Sequence, residues 1–170
     1  MINEQFKDAI KVVYERLDNN TIGWALIGST NLALQGMDLS PKDLDLVMKL
    51  DSLVYMPMLF SDYSTSRIEE LKPDNSDPAW TAKLQRHPAF NVHFNIGRVP
   101  VQILGEYDDG DYVSKLINRS LCYTKIGGLK IPSFTLETEA DIYAETYRYE
   151  KAERIRCFLA QRTIENKFKI

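Results

Sequence analysis

The sequence reads as an α/β (α+β) chain: a β-sheet flanked by helices, closing with a long C-terminal helix. Three features lead there. Apolar residues recur at helical spacing at both ends of the chain, a short apolar strand runs directly into a glycine turn in the first half, and two glycine-centred hairpins occupy the second half. The length of 170 residues suits a single domain spanning residues 1–170.

Taking the elements in order, residues 3–17 carry Phe6, Ala9, Ile10, Val13, Tyr14 and Leu17 at spacings of three and four, which write one helical stripe. Residues 23–27 are short and apolar and run into Gly28-Ser29, the pattern of a buried strand entering a turn. A short helix follows over residues 30–35. Residues 43–48 alternate polar and apolar, as a half-buried strand does. Asp51 or Ser52 caps a helix reaching Phe60 and bent by Pro57, and residues 65–71 form another strand. Residues 72–88, with three prolines and the cluster Asp74-Asn75-Ser76-Asp77, read as a long irregular connection.

The hairpin over residues 90–96 and 99–104 turns at Gly97-Arg98. Pairing Ile96 with Val99 sets His93 opposite Gln102, on a face shared with Asn91, Asn95, Pro100 and Leu104. A second hairpin spans residues 121–131 around Gly127-Gly128 and is stopped by Pro132. Thr135 caps the last helix, whose stripe of Leu136, Ala140, Tyr143, Ala144, Tyr147, Ile155, Phe158 and Leu159 runs toward Arg162 with a break near Arg148. Residues 163–170 are expected to fray.

Composition excludes several classes of function. Apolar residues make up 44% of the chain, enough for one core, so disorder and disulfide-scaffold classes are out. A net charge of -3 offers no bulk attraction to nucleic-acid phosphates. Cys122 and Cys157 lack metal-ligand spacing and fit a reducing compartment. No apolar run approaches a membrane span, and the expectation is a soluble, cytoplasmic protein.

Two short constellations carry chemistry. In Gly28-Ser29 the glycine lets a phosphate approach the backbone and the serine adds a hydroxyl donor; a plain tight turn would read the same. Asp43 and Asp45, two apart on a strand, share one face while Leu44 and Leu46 enter the core. Carboxylates so placed repel, and a divalent cation with oxygen preference, Mg²⁺ or Mn²⁺, relieves the repulsion; a solvated strand face is the simpler alternative. Asp108-Asp109-Gly110-Asp111 lacks the spacing of a calcium loop and reads as an acidic turn.

Taken together, IGSTNLALQGMDLSPKDLDLVM resembles the signature of the nucleotidyltransferase superfamily that includes DNA polymerase beta. In that signature a hydrophobic residue, Gly, and then Gly or Ser are followed, after about a dozen residues, by alternating Asp and hydrophobic positions. Thirteen residues separate Ser29 from Asp43 here. The chain looks most similar to small stand-alone prokaryotic members, including those of abortive-infection and toxin-antitoxin type, and the likeness extends more loosely through VPVQILGEY and IPSFTLETEADIYAETYRYEKAERI.

The resemblance implies a mixed sheet flanked by helices, NTP phosphates on Gly28 and Ser29, and Mg²⁺ on Asp43 and Asp45. It implies transfer of a nucleoside monophosphate to an acceptor hydroxyl with release of pyrophosphate. The family's third carboxylate falls on Gln102, which can ligate a cation through its carbonyl but is no useful base. Glu106, if the strand end curls back, and His93 are the substitutes at hand. Arg148 and Lys151, three apart on the last helix, can share a face toward the phosphates, and Lys42 can reach them from beside Asp43. The alternative is a degenerate member acting as a regulatory or toxin-antitoxin-type interaction module. So short a chain leaves the acceptor surface to residues 72–88, a second copy or a partner protein.

Overall fold

A computed structural model describes residues 2–73, 78–118 and 120–167. Helix α1 (Glu4–Asn19) is capped by Asn3, whose side chain accepts from the Phe6 amide at 3.1 Å, and buries the predicted stripe of Phe6, Ala9, Ile10, Val13 and Leu17. Strand β1 (Trp24–Ile27) enters the short helix α2 (Gly28–Leu34), and β2 (Leu44–Lys49) returns antiparallel to it.

The expected helix to Phe60 is instead two single turns, α3 (Leu50–Leu53) and α4 (Met56–Leu59), followed by a 3₁₀ turn at Ser61–Tyr63. Pro57 lies in the first turn of α4, where it starts a helix rather than bending one. Of the strand expected over residues 65–71, only β3 (Glu69–Glu70) forms. The connection expected over residues 72–88 holds a helix, α5 (Pro78–Arg86), with a proline at its first position; the Asp74–Asp77 cluster lies outside the described residues.

The first hairpin is β4 (Ala89–Ile96) with β5 (Val99–Glu106), in the predicted register of Ile96 with Val99 and His93 with Gln102. Gly97 has φ +59° and Arg98 does not follow it into positive φ, so the turn needs one left-handed residue; Gly127 and Gly128 both have positive φ in the second hairpin. Helix α6 (Asp111–Ile117) starts at the last residue of the segment read as an acidic turn. Strands β6 (Leu121–Ile126) and β7 (Leu129–Phe134) form the second hairpin, and Pro132 lies inside β7 opposite Tyr123 instead of stopping it. Pairing of β7 with β1 is confined to Ser133 and Leu26, so the missing proline N–H falls beside that ladder rather than in it.

Thr135 caps α7 (Leu136–Glu145), and α8 (Tyr149–Lys167) follows after the expected break. At the break Tyr147 takes φ +57°, a left-handed conformation that reverses the backbone between the helices. Of the tail expected to fray, residues up to 167 are helical and the last three lie outside the described residues.

The sheet is mixed, in the order β3-β4-β5-β2-β1-β7-β6, with β2 parallel to β5 and β1 parallel to β7. One face carries Leu26, Leu44, Leu46, Val92, Val101 and Ile103 against α1. The opposite face carries Ala25, Val47, Leu104 and Phe134 against Leu84 of α5, Val113 of α6 and Ile142 of α7. Each fully buried aliphatic side chain contributes roughly 1.5–3 kcal/mol. Polar Asp45 and Gln102 therefore sit on a face whose neighbouring positions are roofed by helices. No described helix is long and apolar enough to cross a membrane.

Candidate functional site

The antiparallel turn-back of β2 along β1 sets Ile27 opposite Asp45, and the parallel β5 sets Gln102 beside Asp45. The end of β1, the start of β2 and the middle of β5 thus meet at one point. Gly28 follows Ile27 at φ +69°, and a Cβ there would lie 2.7 Å from Asp45 Oδ2. Only glycine fits between the turn and the carboxylate. Thr30 fixes the other side of the site by donating its hydroxyl to the Asp43 carbonyl at 2.6 Å.

A cleft of about 320 Å³ opens here between the sheet and the C-terminal helices, lined by Gly28, Asp45, Gln102, Tyr112, Glu139, Tyr143 and Arg148, with apolar Leu71 and Leu104 among the remaining walls. A smaller cavity of about 180 Å³ adjoins it across Tyr143, which lines both; Ser29, Lys151 and Arg154 meet apolar Leu32, Met37 and Ile155 there. The break between α7 and α8 distributes the two predicted cations: Arg148 lines the cleft and Lys151 the smaller cavity.

Electrostatics mark the same place. Burial pushes the Asp45 carboxyl up to about 7, Asp43 adds to the push, and Lys151 opposes it. The carboxylate pair is thus left short of positive charge, a deficit that a divalent cation would fill. Among the described residues no three His, Cys, Asp or Glu side chains converge, so the donors on offer are Asp43, Asp45 and the Gln102 carbonyl, a set of oxygens suited to Mg²⁺ or Mn²⁺.

The remaining predicted residues stand farther off. Lys42 is exposed and lines neither cavity. His93 is exposed on β4, one strand beyond Gln102, and lines neither cavity. Glu106 does not curl back toward Asp45. It is fully buried at the far end of β5, paired with Lys83 at 3.1 Å and accepting the Tyr112 and Val113 amides at 2.8 and 3.2 Å. Four residues of strand put it about 13 Å along the sheet from Gln102.

Sequence reasoning missed Glu139. It is 2% exposed, and its Oε1 accepts from the Gly28 amide at 2.8 Å and from Asn31 Nδ2 at 2.7 Å. Burial pushes this carboxyl up to about 8, with Asp45 adding to the push and the two hydrogen bonds opposing it. A signal was present. Glu139 falls between Leu136 and Tyr143 at spacings of three and four, on the inward stripe of α7, where a carboxylate needs a reason.

Neither a protein-family model nor a curated protein sequence matches the chain. Solved structures do. A Thermotoga maritima protein, TM1012, provisionally assigned as a nucleotidyltransferase, superposes with a TM-score of 0.67 at 23% identity over 95% of this chain and 96% of that one. The chain has the nucleotidyltransferase fold. The solution structure of the antibiotic-resistance factor ANT(2″)-Ia matches with a TM-score of 0.56 and 14% identity, covering 98% of this chain and 97% of that one. A crystal structure of ANT(2″)-Ia in complex with adenylyl-2″-tobramycin matches at 0.51 and 11%, over 92% and 98%. A nucleotidyltransferase fold over nearly the whole length agrees with the sheet and helices expected from the sequence.

Proposed function

We propose that the protein binds an NTP together with Mg²⁺ and transfers its nucleoside monophosphate to an acceptor hydroxyl, releasing pyrophosphate. The observation that carries this reading is the meeting of Gly28 and Asp45. A turn able to accept phosphate and a carboxylate short of positive charge share one cleft, on a nucleotidyltransferase fold. Asp43, Asp45 and the Gln102 carbonyl would hold the cation, which when bound stabilises charge on the phosphoryl oxygens. Gly28 and Ser29 receive the triphosphate, with Lys151 supplying a cation beside Ser29 and Arg148 another in the cleft. The acceptor oxygen attacks the α-phosphorus as the bond to pyrophosphate breaks, and rigid placement of both reactants lowers the barrier.

A cleft of about 320 Å³ suits a small hydroxyl-bearing acceptor better than a polymer end. The ANT(2″)-Ia complex holds a nucleotidylated small molecule, adenylyl-2″-tobramycin, and supports that size class. Helix α5, a second copy or a partner protein would complete the acceptor surface.

The test is calorimetric titration of each NTP, with and without Mg²⁺, into the wild type and the double variant Asp43→Asn, Asp45→Asn. Mg²⁺-dependent binding weakened at least a hundredfold in the variant is the expected result. Binding to neither protein would leave the second reading, a degenerate nucleotidyltransferase fold serving as an interaction module, which the neutral Gln102 favours.

A further inference from the structure

The cleft contains a carboxyl group that the proposed reaction does not yet use. Glu139 reaches from α7 to the turn after β1, and both of its hydrogen bonds fall on Oε1, from Gly28 at 2.8 Å and Asn31 at 2.7 Å. Asn31 is itself fixed, donating also to the Phe134 carbonyl at 2.9 Å. The carboxyl plane is therefore held by two elements, α2 and its own helix, and the second oxygen, Oε2, has no protein partner among the described residues although Glu139 lines the cleft. Glu139 is not placed as a metal ligand, since no third acidic side chain joins Asp43 and Asp45. A charged carboxylate beside a triphosphate would repel it; a neutral one donates a hydrogen bond to it.

We propose that Glu139 is a nucleotide-contact residue that holds the Gly28 turn with Oε1 and, in its protonated form, donates from Oε2 to a phosphate oxygen of the bound NTP. This rests on the nucleotide-binding reading above and adds a residue to it. Burial already holds the Glu139 proton up to about 8. The charged and titratable groups facing it are Asp45 from β2, Tyr112 from α6, Tyr143 one turn along α7 and Arg148 from the break, with Lys151 of α8 acting on Asp45. NTP affinity therefore falls at alkaline pH as Glu139 loses its proton.

The experiment is calorimetric titration of the full chain with MgATP, MgGTP, MgCTP and MgUTP at pH 7.5 and 9.0, on the wild type and on Glu139→Gln. In the variant, the amide oxygen can still accept from Gly28 and Asn31, and the amide N–H replaces the carboxyl proton. The wild type should bind about fivefold more weakly at pH 9.0 than at pH 7.5. Glu139→Gln should match it within about threefold at pH 7.5 and lose the alkaline weakening. Alkaline weakening that persists in Glu139→Gln, or its absence in the wild type, overturns the proposal.

Should the variant fail to fold, wild-type titrations at pH 9.0 in two buffers of different ionisation enthalpy decide alone. Net proton uptake on binding supports the donor role, and none overturns it. Failure of every NTP to bind the wild type at any pH would instead bring down the nucleotide-binding reading itself.

Discussion

Two glutamates on the same side of one sheet, Glu106 and Glu139, are each almost wholly withdrawn from water, at 0% and 2% exposure, yet the protein treats them oppositely. Glu106 is given a cation: Lys83 lies 3.1 Å away, with its ammonium 3.8 Å from the Tyr112 ring centroid, and two amides at the start of α6 complete the shell. Glu139 is given an amide from Gly28 and another from Asn31, with Asp45 pressing further negative charge on it. One arrangement locks α5, β5 and α6 together. The other leaves a proton at the edge of a cleft. Burial alone does not distinguish a structural carboxyl from a functional one; the charge of its partners does.

The largest break in that contrast would come from Lys83→Met, which keeps the volume but removes the cation facing Glu106. Leaving a buried charge uncompensated costs about 3–5 kcal/mol. Chemical denaturation should show a loss of that order, and Lys83→Met combined with Glu106→Gln should recover much of it. A double variant no more stable than the single one would show that the pair is not what holds this end of the sheet.

The pH dependence of folding sharpens the other half of the contrast. Glu139 has an ordinary value of 4.5 and Asp45 of 3.8, and in the fold they are pushed up to about 8 and about 7. The native state therefore binds these protons more tightly than the unfolded chain does. Their contribution to stability is fully present below about pH 4, is lost as pH rises toward 8 and is level above that. Glu139→Gln removes one of the two shares and should be more stable than the wild type at pH 8 by up to about 4 kcal/mol while matching it near pH 4. Urea midpoints at the two pH values measure this, and an equal difference at both would assign the effect to packing instead.

Much of this was legible in the sequence. The stripe of α1, the hairpin register that sets His93 opposite Gln102, the cap at Thr135 and the helix break near Arg148 all follow from local spacing and turn chemistry. The meeting of Gly28 with Asp45 could be read from a signature that is short-range. Helix α5 was hidden by three prolines whose positions, at a helix start and outside its ends, do not oppose it. Pro132 was misread because its pairing depends on where β7 lies beside β1. Glu139 and Gly28 are 111 residues apart, and only the parallel docking of β7 on β1 brings α7 over the turn. Contacts made by the sheet order are invisible to periodicity, and this is one of them.

The smallest effect expected is also the one that tests how far the chemistry survives. Gln102 stands beside Asp45 in the parallel register of β2 and β5, so Gln102→Glu puts a third carboxylate where one cation could meet all three. Without metal, the added like charge should cost about 0.2–1 kcal/mol and lower the melting temperature slightly, because Asp45 is already pushed up by burial and by Asp43. With Mg²⁺, the order should reverse: the variant gains affinity for the ion and melts higher than the wild type under the same conditions. A thermal-shift series in MgCl₂ and in EDTA separates the two. Reversal would identify the point where β1, β2 and β5 meet as a cation site that works with two acidic side chains and is strengthened by a third. A variant that melts lower in both solutions would mean that Asp43 and Asp45 do not hold a cation together. The contrast between the two buried glutamates would then describe how the fold keeps its charges, with no bearing on a nucleotide.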